Sequence, residues 1–249
     1  MTLGTLAWAD VTGGAITWRD RARFLGPALR QTAQFVAGRL RLALGGQRGP
    51  AGFDLATFTF PDTALARAAL EEAVETLTPA MLGHSRRTFV YGLALAGLDG
   101  VPVDVEHLYA TSLLHDICLE TPDGGGCFAV RGGPTMRQVA LDAGEAPATA
   151  DLLATAITDH ITPGVRYADG ALAPLLQFGA MVDLTGLRLW DLDPEFVQSV
   201  LDAEPRHALK EHLPACWVAE ARAFPRGRAA FIERAFLFSW LVRMAPFRE

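Results

Sequence analysis

Lysine is almost missing from this chain: Lys210 stands alone, and the other basic residues are arginines scattered along the sequence. With a formal net charge of −6, no basic stripe is left to meet a phosphate backbone, so nucleic acid is not an expected partner. Cysteine is scarce as well. Cys118, Cys127 and Cys216 leave an odd thiol without CxxC spacing, so neither a disulfide framework nor a thiolate zinc site is indicated. Long hydrophobic runs are absent too. The most apolar stretch, AFLFSWLV near the C-terminus, lies between Arg234 and Arg243, too short to cross a bilayer. It reads as a core helix able to support a homodimer, and no membrane partner is expected. The start, MTLGTLAWADVTGG, has no basic region ahead of an apolar one, and Asp10 interrupts it. No secretion signal is therefore expected, and a cytoplasmic location fits the free thiols.

What is present describes an ordinary globular protein: 249 residues, 50% hydrophobic and 20% charged, enough to bury a full core. No repeat or Ser/Gly linker divides the chain. It reads as one domain over 61–249 behind a partly helical extension over 1–60. In the extension, a helix is expected from about Arg19 to Leu44, ending in GGQRGPAG, with FDLATFTFP as a strand or extended arm. Asp62 is placed to cap the helix ALARAALEEAVETL, and Pro79 opens another. The segment EHLYATSLLHDI forms a third, which TPDGGG must terminate directly after His115 and Asp116. Further helices are expected over Ala148 to Ile161, Leu172 to Leu187, Asp193 to Asp202 and Ala229 to Met244. Strand signals are weak, so the fold class is all-α, a helical bundle with its chemistry between helices.

Three helices carry residues that need explaining. His84 shares a face with Arg87, Thr88 and Tyr91, so that face is partly polar. His115 follows Leu108 and Thr111 on a helix apolar enough to be central, and Asp116 follows at once. A carboxylate inside a bundle needs a positive partner, which a divalent cation supplies. Asp183 repeats the problem beside Leu176, Gly179 and Ala180, small residues that admit a neighbouring helix. His84, His115, Asp116 and Asp183 thus form a mixed nitrogen and oxygen set for one divalent ion, zinc first, with iron or manganese as alternatives. His160 shares a face with Leu153, Ala156 and Ile157. It is either a hydrogen-bonded core histidine or a proton shuttle beside the metal. Arg87 is placed to pair with a ligand carboxylate or an anionic substrate, and Arg131, in an expected RGGP loop, to face the pocket or solvent. The glycines at 124–126 lack a following GK[ST], so they suggest a lid and not a phosphate loop.

The order His84, His115-Asp116, Asp183 resembles the HD superfamily of metal-dependent enzymes. HSRRT, LLHDI, CFAVRGG, AITDH, MVDLTG and EPR, over about residues 80 to 235, look like its cyanamide hydratase branch. The resemblance implies an HD-domain bundle in which a metal-activated water attacks a small nitrile- or amide-like substrate, with Asp116 and His160 as catalytic groups. Phe128 then joins Arg87 and Arg131 as a candidate substrate contact. The chain departs from the branch at Cys127-Phe128-Ala129, in place of Ser-Phe-Glu, and at Leu184, in place of Asn. The alternatives are an HD phosphohydrolase acting on a nucleotide or other phosphate ester, which needs cations around the phosphate, and an inactive HD module that binds a metabolite.

Overall fold

The computed structural model describes residues 3–44 and 53–249. Among these there are twelve α-helices and no strand, and no helix is long and apolar enough to cross a membrane. The run GGQRGPAG lies outside the described residues.

Two helices open the chain. Helix α1 (Leu6–Thr12) is capped by Thr5 and ends at Gly13, whose φ of 59° suits glycine. Helix α2 (Trp18–Ala43) starts with a reciprocal capping box between Thr17 and Asp20. These helices are fastened to the rest of the chain. Trp8, Ala9, Ile16 and Phe24 make a small core of their own, Phe24 meets Phe231 at 6.0 Å, and Trp190 leaves no room for a side chain at Gly38. The FDLATFTFP stretch is the expected extended arm with one 3-10 turn, Leu55–Thr57, and it is pinned where Phe53 and Phe58 each lie 5.4 Å from Phe196.

The main core is built around α3 (Ala64–Thr76), α4 (Pro79–Asp99), α5 (Val105–Leu114) and α8 (Leu172–Thr185). Thr63, not Asp62, caps α3 through the amide of Ala66. Pro79 occupies the first turn of α4 as expected. Helix α4 is buried nearly all round, with Phe89, Tyr91 and Leu95 fully enclosed. It reaches α8 through small residues: Gly92 faces the carbonyl of Leu175, and Gly179 faces the backbone of Thr88 and Gly92. This close approach sets the spacing between the helices that carry His84 and Asp183.

Helix α6 (Phe128–Asp142) contains the expected RGGP loop within its first two turns. The two glycines serve packing, not turning. A Cβ at Gly133 would sit 2.7 Å from the Thr158 hydroxyl, and one at Gly132 would sit 3.3 Å from Ile157, so α6 can lie against α7 (Pro147–Asp159). The glycine run at 124–126 is no free lid. The amide of Cys127 donates to the carbonyl of Gly13, and Gly124 lies against Ala223. Helix α9 (Pro194–Ala203) has the expected Asp193 cap. Helix α10 (Leu209–Ala223) was hidden by Pro214 within it. The expected final helix is two, α11 (Arg228–Phe236) and α12 (Phe238–Arg243), separated by Leu237 at φ 52°. The Glu233 carboxylate accepts from both the amide and the hydroxyl of Ser239 across that break.

Gly179→Ala tests the α4–α8 approach, because its Cβ would lie 2.3 Å from the Thr88 carbonyl oxygen. Backbone on both sides cannot yield cheaply, and urea unfolding is expected to show a loss of about 1–3 kcal/mol. Wild-type stability in the variant would mean that the helices are not tightly spaced.

Candidate metal centre

His84 occupies the second turn of α4, fully buried. His115 and His160 hold equivalent positions on different helices, each being the C-terminal cap, of α5 and α7 respectively. The last carbonyls of a helix lack backbone donors, and here the imidazoles supply them. His115 Nδ1 donates to Ser112 O at 2.8 Å, and His160 Nδ1 donates to Ile157 O at 2.6 Å. A carbonyl can only accept, so both rings carry hydrogen on Nδ1 and turn Nε2 away from their own helix. Burial pushes His115 down to about 3, with the Asp116 charge only partly opposing this. That ring is neutral across the physiological range.

His84 is held by a different partner. Its Nδ1 donates to Asp183 Oδ2 at 2.7 Å, which turns its Nε2 toward Asp116 as well. All three Nε2 atoms turn toward one carboxylate. Asp116 Oδ2 is 3.4 Å from His115 Nε2 and 3.7 Å from His84 Nε2, and Asp116 Oδ1 is 3.5 Å from His160 Nε2. The rings form a continuous row, with centroids 5.1 Å apart from His84 to His115 and again from His115 to His160. The donor atoms of His84, His115 and Asp116 lie within 4.8 Å of one another. Two of them, His84 Nε2 and His115 Nε2, are buried without a hydrogen-bond partner. Buried polar atoms cost free energy unless satisfied. A carboxylate faced by lone pairs is satisfied by a cation, and two imidazole nitrogens with one carboxylate oxygen suit a divalent metal that keeps open positions.

Asp183 does not share that space. It was expected as the fourth ligand, and the structure puts it behind His84. Its Oδ1 accepts from Arg87 Nε at 2.8 Å and Arg206 Nη1 at 2.7 Å, and its Oδ2 accepts from His84 and from Arg87 Nη2 at 3.0 Å. Burial alone would raise this carboxyl, but Arg87 and Arg206 hold it well below the usual carboxylate range. With its lone pairs committed, Asp183 acts as the outer carboxylate of a carboxylate–histidine arrangement that fixes tautomer and ring orientation.

Arg87 is likewise not a substrate contact. It is fully buried, and its remaining nitrogen donates to the carbonyls of Glu204 and Pro205. Arg131 lies on α6, where its guanidinium donates to the carbonyls of Thr121 and Cys118 and tethers the segment after Asp116. Phe128 is enclosed behind the site, its ring 5.9 Å from His160 and 5.8 Å from Trp217.

His115, Asp116 and His160 form the polar floor of a cavity of about 130 Å³. Its walls are mainly apolar, with Met181 and Leu184 from α8, Trp217 from α10, Phe238 from α12, and Ala28 and Phe35 from α2, interrupted by Gln31, Thr32, Gln177 and Thr185. No arginine or lysine lines it among the described residues. Sequence reasoning missed Arg206, although the Glu204-Pro205-Arg206 stretch had been noted, and it missed the wall from α2. Nothing in the local pattern of α2 marks it as a cavity wall. Neither family models nor curated proteins provide a match to this chain.

Asp183→Asn removes the counter-charge of Arg87 and Arg206, and a loss of about 3–5 kcal/mol is expected in urea unfolding at neutral pH. The folded carboxyl titrates below the unfolded one, so its contribution is complete above about pH 4. It fades as the pH falls through the folded value. The gap between wild type and variant should therefore narrow only in acid, and a gap that is constant down to strongly acidic pH would contradict the pairing.

Proposed function

We propose that the chain is an HD-type metal-dependent hydratase or hydrolase acting on a small neutral substrate, with a nitrile- or amide-like group presented to His115, Asp116 and His160. One observation carries this reading: three imidazoles, each held through Nδ1, direct their Nε2 atoms at Asp116 on the floor of a mainly apolar cavity. The two partnerless nitrogens fit a divalent cation held by His84, His115 and Asp116, with zinc, iron or manganese compatible with that donor set. When bound, such an ion acidifies water enough to supply hydroxide near neutral pH and polarises the group under attack.

The residues supply the rest. Asp183 and the Ser112 carbonyl hold the His84 and His115 rings by their Nδ1 atoms, so that each turns Nε2 toward Asp116. His160, with Nε2 3.5 Å from the other oxygen of Asp116, lines the cavity and is placed to move a proton between water and product. The mainly apolar walls favour a substrate with an apolar body. The phosphohydrolase alternative is less well supported, because Arg87 and Arg131 are spent on Asp183 and on backbone carbonyls. An inactive binding module would need no oriented His160.

Metal analysis of His115→Ala is the direct test of the site. The variant is expected to lose the ion that wild type retains, and stoichiometric metal in it would remove the basis of the reading. Metal-loaded wild type is expected to turn over members of a panel of aliphatic and aromatic nitriles and amides, and to leave generic phosphate esters untouched. Turnover of the esters instead would establish the phosphohydrolase, and turnover of neither would favour the binding module.

His160→Gln separates a proton shuttle from a core histidine. Metal content should stay at the wild-type level while kcat falls by about 10²–10⁴-fold. An unchanged kcat would return His160 to a packing role.

A further inference from the structure

We propose a second cation site, distinct from the first, in which Glu120, His212 and Cys216 hold a thiophilic divalent ion such as zinc. Cysteine spacing in the sequence indicates no thiolate site, because the third donor comes from far away in the chain. His212 and Cys216 are four residues apart on α10 and so share a face. Glu120 arrives from the turn that follows His115 and Asp116.

The geometry is convergent. Glu120 Oε1 lies 2.5 Å from His212 Nε2, and Cys216 Sγ lies 3.6 Å from the same nitrogen. The donor atoms of all three residues fall within 4.8 Å of one another. The other carboxylate oxygen, Oε2, accepts from the Thr78 amide at 3.0 Å, which keeps Oε1 directed inward. The cluster is partly exposed, with the His212 side chain 34% and the Glu120 side chain 12% accessible, so an ion reaches it without opening the core.

A catalytic cysteine arrangement is a poorer fit. A relay needs the thiol on one ring nitrogen and the carboxylate on the other. Here sulfur and carboxylate lie on the same nitrogen, which the Thr78 hydroxyl also meets at 3.2 Å, so no relay runs through the ring, and an entering ion would replace the direct Glu120–His212 hydrogen bond. Binding displaces the thiol proton to solvent and moves the His212 hydrogen to Nδ1, so that thiolate, carboxylate and neutral imidazole balance a dipositive charge. The fourth position then goes to water. An ion here would tie α10 to the turn carrying Asp116 and to Thr78, the residue that precedes α4.

Cobalt(II) reads this site alone, because the first centre contains no sulfur. Full-length protein freed of metal and titrated with cobalt(II) is expected to develop a sulfur-to-cobalt charge-transfer band in the near ultraviolet. Cys216→Ser should abolish the band and lower bound cobalt by one ion per chain, and His212→Ala should weaken it. His115→Ala and Cys118→Ser should both retain it. Absence of the band in wild type at saturating cobalt, or its persistence in Cys216→Ser, would overturn the proposal. Failure of the first centre in His115→Ala would leave this readout intact.

Discussion

The buried carboxylate of Asp183 is the contact on which the site's order rests. It gathers Arg87 and His84 from α4 and Arg206 from the segment after α9, while Arg206 continues to Glu249 at the C-terminus. Two guanidiniums around one carboxylate in a low-dielectric interior are tolerable only because nearly every donor finds an acceptor. The same arrangement settles which nitrogen of His84 is free. A charge cluster without contact with the cavity thus governs the chemistry of a residue beside it.

Glycine makes that arrangement possible. Gly179 lets α8 approach α4 closely enough for Asp183 to bond across the interface, and Gly132 and Gly133 do the same for α6 against α7. The helix that ends in His160 is therefore located by its neighbours and not by its own propensity. At both capping histidines a local rule, that helix ends leave carbonyls without donors, yields a feature of functional weight, an imidazole with a fixed tautomer.

The all-helical class was legible because helix formers and capping residues recur along the chain while strand signals are weak. His84, His115 and Asp116 were legible as a group, since a carboxylate inside a bundle needs a positive partner and two imidazoles on separate helices could share it. Asp183 was read as inward-facing, which it is, and as a ligand, whereas its carboxylate is engaged by His84, Arg87 and Arg206. Periodicity places a side chain on a face, but which side of a neighbouring ring it meets depends on the crossing of two helices. Arg87 and Arg206 decide that question, and Arg206 is remote in sequence. Arg131 was misplaced because Gly-Gly-Pro signals a turn in isolation, whereas Thr158 and Ile157 pressing on α6 make the same glycines a packing device. Pro214 concealed α10 for a similar reason.

The cavity draws its floor and one of its walls from distant parts of the chain. Ala28 and Phe35 of α2 face the space, and none of the residues that would bind an ion lies on that helix. Under the proposed function, substitutions along α2 would change the size and shape of the molecule admitted and leave His115, Asp116 and His160 in register. Selectivity and chemistry would then be written in separate stretches of sequence.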